Sequence, residues 1–174
     1  MRTTSVRMSV GVVVLTVCAG AAASAQTMEK VDYFPDAIAE KDDHIVRLNG
    51  GSSWLLSSRT AALVSADVLV VMRDVDVNGQ RVSAAWLFVA GEEIPVKHVE
   101  GVYPRNPAYL TRVVAADGGT TLRLADGSVV IVPKYDRISL NRWTPPYKAL
   151  LTGNRTYLYN LKLGRRVWVQ PAKK

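Results

Sequence analysis

Shifting the sequence by 76 residues lays Tyr33 on Tyr109, Ile38 on Val114, Val46-Arg47-Leu48 on Leu122-Arg123-Leu124 and Gly51-Ser52 on Gly127-Ser128, without a gap. Further on, a shift of 73 lays Trp86 on Tyr159, Phe88 on Leu161, Gly91 on Gly164, Ile94 on Val167 and Val96 on Val169. Self-similarity at a fixed period marks one supersecondary unit used twice, so the architecture must be one that a unit of about 60 residues can close. The change of shift makes the second copy three residues shorter, somewhere in the stretch matching Ser53 to Ala85. The copies run from about Asp32 to Lys97 and from Ala108 to Gln170. His98 to Pro107, with Gly101, Pro104 and Pro107, reads as the linker, because proline fixes φ and removes a ladder donor. The expected organisation is therefore a module over 26–97, a linker over 98–107 and a module over 108–174.

Both copies read as strands and turns. In the second, Leu110–Val114, Thr121–Leu124, Val129–Val132, Tyr147–Leu151, Thr156–Leu161 and Arg166–Val169 are separated by Asp117-Gly118-Gly119, Ala125-Asp126-Gly127, Gly153-Asn154 and Gly164. Such turns suit hairpins because Asp, Asn and Gly tolerate positive φ. In the first, Ile45–Leu48, Trp54–Ser57, Val68–Met72, Val82–Val89 and Ile94–Lys97 match them. Val68-Leu69-Val70-Val71-Met72 is apolar on both faces, as in a strand covered on both sides. One helical turn is expected at Asp36–Lys41, with Asp36 as its cap. The fold class is all-β: two tandem small barrels or sandwiches of SH3-like or OB-like type, closed so that apolar edges are not exposed.

Leu124-Ala125-Asp126-Gly127-Ser128, with its degenerate copy Leu48-Asn49-Gly50-Gly51-Ser52 before Trp54, resembles a Leu-x-Asp-Gly-Ser-x-Trp hairpin of small exported bacterial β proteins. That resemblance spans one hairpin per copy and implies no activity.

Residues 1–25 read as a signal peptide: Arg2 and Arg7 precede an apolar stretch from Val10 to Ala23, and Ala23-Ser24-Ala25 offers small residues for cleavage before Gln26. The apolar stretch is shorter than the roughly 20 residues that span a bilayer. Leu15-Thr16-Val17-Cys18 resembles a lipobox, but Val17 stands where that pattern wants a small residue, so lipid anchoring at Cys18 is the lesser reading. The expected location is the periplasm or the medium. After cleavage no cysteine is left, and the chain needs neither disulfides nor a redox role.

Charge separates along the repeat. Residues 26–100 hold 7 Lys/Arg against 12 Asp/Glu, a net of −5, whereas residues 101–174 hold 13 against 3, a net of +10. Glu92 and Glu93 follow Gly91 where Arg165 and Arg166 follow Gly164, so the pair marks an acidic docking face. Arg155, Tyr157, Tyr159, Lys162, Arg165, Arg166 and Trp168 are the candidate basic and aromatic binding residues, with Lys173 and Lys174 beyond them. Basic and aromatic side chains on a small barrel are how OB-type modules hold strands of nucleic acid or sugar.

Catalytic patterns are sparse. His-Glu-x-x-His, Gly-x-Ser-x-Gly and phosphate-cradling Gly-x-x-x-x-Gly-Lys do not occur. Asp42-Asp43-His44 reads as a polar hairpin tip, and Asp74, Asp76 and Asn78-Gly79 as a hairpin rather than a Ca²⁺ loop, since the distal Glu of such a loop is missing. No catalytic residue, metal or cofactor is therefore expected. The expectation is an exported, non-enzymatic binding or assembly component of the bacterial periplasm, envelope or an extracellular structure. Its complementary modules would engage a protein partner or another copy. The alternative is a polyanion- or glycan-binding module using the C-terminal half.

Overall fold

The computed structural model describes residues 28–140 and 142–172. The signal peptide, Cys18, Lys173 and Lys174 lie outside the described residues. The chain is all-β. Six strands, β1 (Glu29–Lys41), β2 (Ile45–Leu48), β3 (Ser53–Leu56), β4 (Asp67–Val77), β5 (Gln80–Val89) and β6 (Glu92–Glu100), pair in the ring β1-β2-β3-β6-β5-β4. The ring closes because β4 returns to β1, from Asp32 opposite Met72 to Ala37 opposite Asp67. A bulge between Ile38 and Glu40 turns β1 from β4 towards β2, as an extra residue on one strand increases local bend and twist.

Alternation fills this barrel. Phe34, Ile38, Val46, Leu48, Trp54, Val68, Val70, Met72, Leu87, Val89 and Ile94 point inward. Each fully buried aliphatic among them stabilises by about 1.5–3 kcal/mol relative to exposure. Trp54 Nε1 donates to the buried Ser52 Oγ at 3.0 Å, which satisfies the one polar atom the indole brings inside.

The further strands are β7 (Asn106–Asp117), β8 (Thr121–Leu124), β9 (Val129–Ile131), β10 (Tyr147–Thr152), β11 (Tyr157–Asn160), β12 (Arg165–Trp168) and β13 (Gln170–Pro171), with a one-turn helix α1 (Arg137–Leu140) between β9 and β10. β7 pairs with β8 and β10, β8 with β9, β10 with β11, β11 with β12, and β13 with β9. Val113, Leu122, Leu124, Trp143, Tyr147, Leu151, Leu158 and Val167 form a second core.

A third apolar cluster joins the two. Val31, Leu69, Val71, Phe88, Ala108, Leu150, Tyr159 and Leu161 pack together, and β1 pairs with β7 from Glu29 opposite Leu110 to Tyr33 opposite Asn106. This seam explains the two-sided run Val68–Met72: Val68, Val70 and Met72 fill the barrel while Leu69 and Val71 face the seam. Lys148 Nζ also reaches Glu93 across the seam at 2.7 Å.

One expectation is corrected. Asp36–Lys41 is not a helical turn but the second half of β1, because Phe34 and Ile38 must both face the barrel interior and pairing with β4 and β2 holds the backbone extended. The Asp36 carboxylate accepts from the N–H groups of Ala37 at 2.8 Å and Gly50 at 3.1 Å, tying β1 to the β2–β3 turn. His98 to Glu100 continue β6, and Asn106 and Pro107 begin β7. Asn78 and Gly79, at φ 54° and 80°, form a two-residue turn, and Asp76 accepts the Gly79 N–H at 2.7 Å.

Candidate functional site

Strand alternation gathers four of the sequence candidates on the outer face of β11 and β12. Tyr157 lies opposite Trp168, and Tyr159 opposite Arg166. Residues two apart on a strand share a face, so the two tyrosines line up beside Arg166 and Trp168. The Arg166 guanidinium sits 4.6 Å from the Tyr157 ring centre and 5.9 Å from that of Tyr159, and donates to the Tyr159 hydroxyl at 3.1 Å. That hydrogen bond, the largest influence on it, raises the Arg166 pKa further.

Trp168 extends the patch. Its ring stacks on Tyr135 at 6.0 Å and 18° between planes, and its backbone N–H donates to the Asp136 carboxylate at 2.6 Å. Tyr135 is 67% exposed and Tyr157 36%, so both side chains reach solvent. Tyr159 is different: it is buried in the seam, 5.8 Å from Tyr33. Burial, then Tyr159, raises the Tyr33 pKa, and Arg166 opposes them.

The other candidates disperse. Arg165 and Arg166 line a groove of about 410 Å³ that Asp36 and Asp67 line too, so its formal charges balance. Lys162 lines another groove of about 370 Å³ with Phe88, Glu93, Tyr147 and Lys148. Arg155 stands over Tyr109, 6.0 Å from the ring centre. The acidic pair divides too. Glu92 accepts from the buried Thr60 hydroxyl at 2.6 Å, inside the N-terminal half, while Glu93 holds Lys148.

Two features lack a sequence signal of their own. Tyr135 belongs to the irregular stretch between β9 and α1, where no periodicity points to a face. Lys30, Arg73 and Arg81, which the acidic average of their half conceals, converge with Asp32, Asp74 and Arg105 on a groove of about 400 Å³. Asp42, Asp43 and His44 sit at the β1–β2 turn, and Asp43 pairs with Arg59 at 2.8 Å. Among the described residues no group of three His, Cys, Asp or Glu side chains is placed to hold a metal ion.

The exposed rings with Arg166 can stack on flat faces and hold an anion. Comparison with protein-family models, curated proteins and solved structures found no match.

Proposed function

We propose that the protein is an exported, non-enzymatic binding or assembly component of a bacterial periplasm, envelope or extracellular structure. It is built from two copies of one small barrel, with oppositely charged halves docked on one another. The pairing order supports the duplication: β7-β8, β7-β10, β10-β11, β11-β12 and β9-β13 follow β1-β2, β1-β4, β4-β5, β5-β6 and β3-β6. In this reading Ile38 corresponds to Val113, since each precedes a bulge and pairs with Leu48 or Leu124. Trp86 then corresponds to Tyr157 and Phe88 to Tyr159, a shift of 71. Sequence matching alone places these partners one or two residues away, because unequal hairpins move the register between anchors.

The seam carries the reading. Complementary surfaces meet inside one chain, through eight buried apolar residues and the Glu93–Lys148 pair, to make a fixed platform with open grooves along both flanks. Residual charge of opposite sign on the two halves favours contact between copies, weakened by salt. Sedimentation velocity over a range of concentrations should therefore give oligomers at low ionic strength that dissociate at high salt. A monomer under every condition overturns the assembly reading.

The stacked Tyr135 and Trp168 beside Tyr157 and Arg166 favour a second reading, an anionic polymer or glycan held on that face. It predicts retention on immobilised heparin or an acidic polysaccharide that Trp168→Ala weakens; equal retention of the variant removes it.

A further inference from the structure

Beyond the barrel, β4 and β5 run on as a free ribbon. Pairing of β4 with β1 stops at Met72, and pairing of β5 with β6 begins at Ala85. Arg73–Val77 and Gln80–Ala84 therefore pair only with each other among the described residues. The corresponding β10–β11 hairpin is short, with Leu151 already opposite Leu158.

Two unpaired edges on such an arm are templates for another strand. The edges differ. Val77 and Gln80 flank the two-residue turn, so they form a hydrogen-bonded pair, as does Val75 with Val82 by alternation. The backbone N–H and C=O groups of Arg81 and Ser83 then point away from β4, and those of Asp74 and Asp76 away from β5. Pairing two copies through β4 about Val75, Asp74 or Asp76 sets carboxylate opposite carboxylate. That edge is also bridged to β1, where Arg73 meets Glu29 at 3.2 Å.

The β5 edge is self-complementary. A two-fold axis through Val82 brings Val82 opposite Val82 of the other copy and Arg81 opposite its Ser83, with the outward backbone groups of both in register. Val75 and Val82, which share a face, would then join their counterparts in one apolar row across four strands. Val82 is 47% exposed and Val77 49%, while Val75 on the same face is half-buried.

We propose that a second copy of this chain docks on the β5 edge of the arm, antiparallel and centred on Val82. The proposal rests on the reading that copies of this chain assemble, and adds a contact made by backbone groups and valines of two acidic halves, separate from the attraction between unlike halves. A closed two-fold dimer satisfies both outward pairs at once.

The test uses the full chain with Cys18→Ser, carrying Val82→Cys or Val77→Cys, under mild oxidation. Residues directly opposite in a non-hydrogen-bonded pair have Cβ atoms about 4.5–5.5 Å apart, close enough to cross-link. Val82→Cys should yield a disulfide-linked dimer, and Val77→Cys at least tenfold less. Separately, Ser83→Pro removes one outward N–H while sparing the ladder to β4, and should weaken association at least tenfold in sedimentation with an unchanged circular dichroism spectrum. Equal cross-linking at the two positions, or full association of Ser83→Pro while the unsubstituted chain assembles, overturns the arm and leaves assembly standing. Cross-linking only in a mixture of Val75→Cys and Val82→Cys chains reveals head-to-tail pairing and overturns the two-fold. A chain that is monomeric throughout overturns both proposals.

Discussion

Tyr147 shows how much one atom can decide. Its ring packs in the second core against Trp143, 5.8 Å away, while its hydroxyl is buried with no hydrogen-bond partner among the described residues. Leaving a buried polar group unpaired costs about 1–3 kcal/mol. Tyr147→Phe should therefore stabilise the protein by about 1 kcal/mol, read as a rise in Tm of roughly 2–4 °C by calorimetry. The pH dependence has a definite sign. Burial raises the Tyr147 pKa above its ordinary phenol value, so stability is unaffected by this group's titration below the unfolded-state value of about 10. Stability falls as pH climbs past that point, because the unfolded chain ionises while the folded one holds the proton. Tyr147→Phe should flatten this alkaline loss; an unchanged slope would assign it to other groups. At this scale the sequence was legible where alternation applies: Tyr157 and Tyr159, Arg166 and Trp168 are each two apart and share a face. Glu92 and Glu93, adjacent on β6, point to opposite sides, and the pair separates into different contacts.

Among the elements, strand positions could be read from turn chemistry, and Thr121–Leu124 is recovered with its ends intact. β1 was not legible over Asp36–Lys41, because Asp36 looks like the cap of a helical turn and only non-local pairing with β4 and β2 makes the segment extended. Long-range pairing also fixes where side chains are forbidden. Gly101, at φ 85°, closes β6 so tightly on the β2–β3 turn that a Cβ would run into the Gly51 carbonyl and the Ser52 backbone. Gly127, at φ 84°, has open space in its place. Gly101→Ala combines backbone strain of about 1–3 kcal/mol with overpacking of similar size, whereas Gly127→Ala carries the strain alone. Urea denaturation should show Gly101→Ala losing about 2–4 kcal/mol and Gly127→Ala about 1; equal losses would contradict the close approach.

For the molecule as a whole, the charge division read from sequence has a physical outlet in Glu93 and Lys148, but both side chains are about half exposed. Such a pair contributes at most about 1 kcal/mol. The apolar seam outweighs it, and sequence patterns conceal it: Leu69, Val71, Phe88 and Leu150 lie on strand faces that a free barrel would turn to water. Leu150→Ala should cost about 2–5 kcal/mol, against less than about 1 for Lys148→Ala. Calorimetry of the unsubstituted chain should show one transition, and Leu150→Asp should split it in two. A single transition in Leu150→Asp would mean that the β1–β7 pairing alone couples the halves.

That pairing also orders events in time. Glu29 to Tyr33 find their β7 partners only when Asn106 to Leu110 have been made, about 80 residues later on the chain. Contacts of such sequence separation are slow to form, since a long loop must close before they repay its entropy. Synthesised or threaded from its N-terminus, the chain therefore holds its first strand half-engaged until the middle of the molecule arrives, and the join between halves is among the last parts to set.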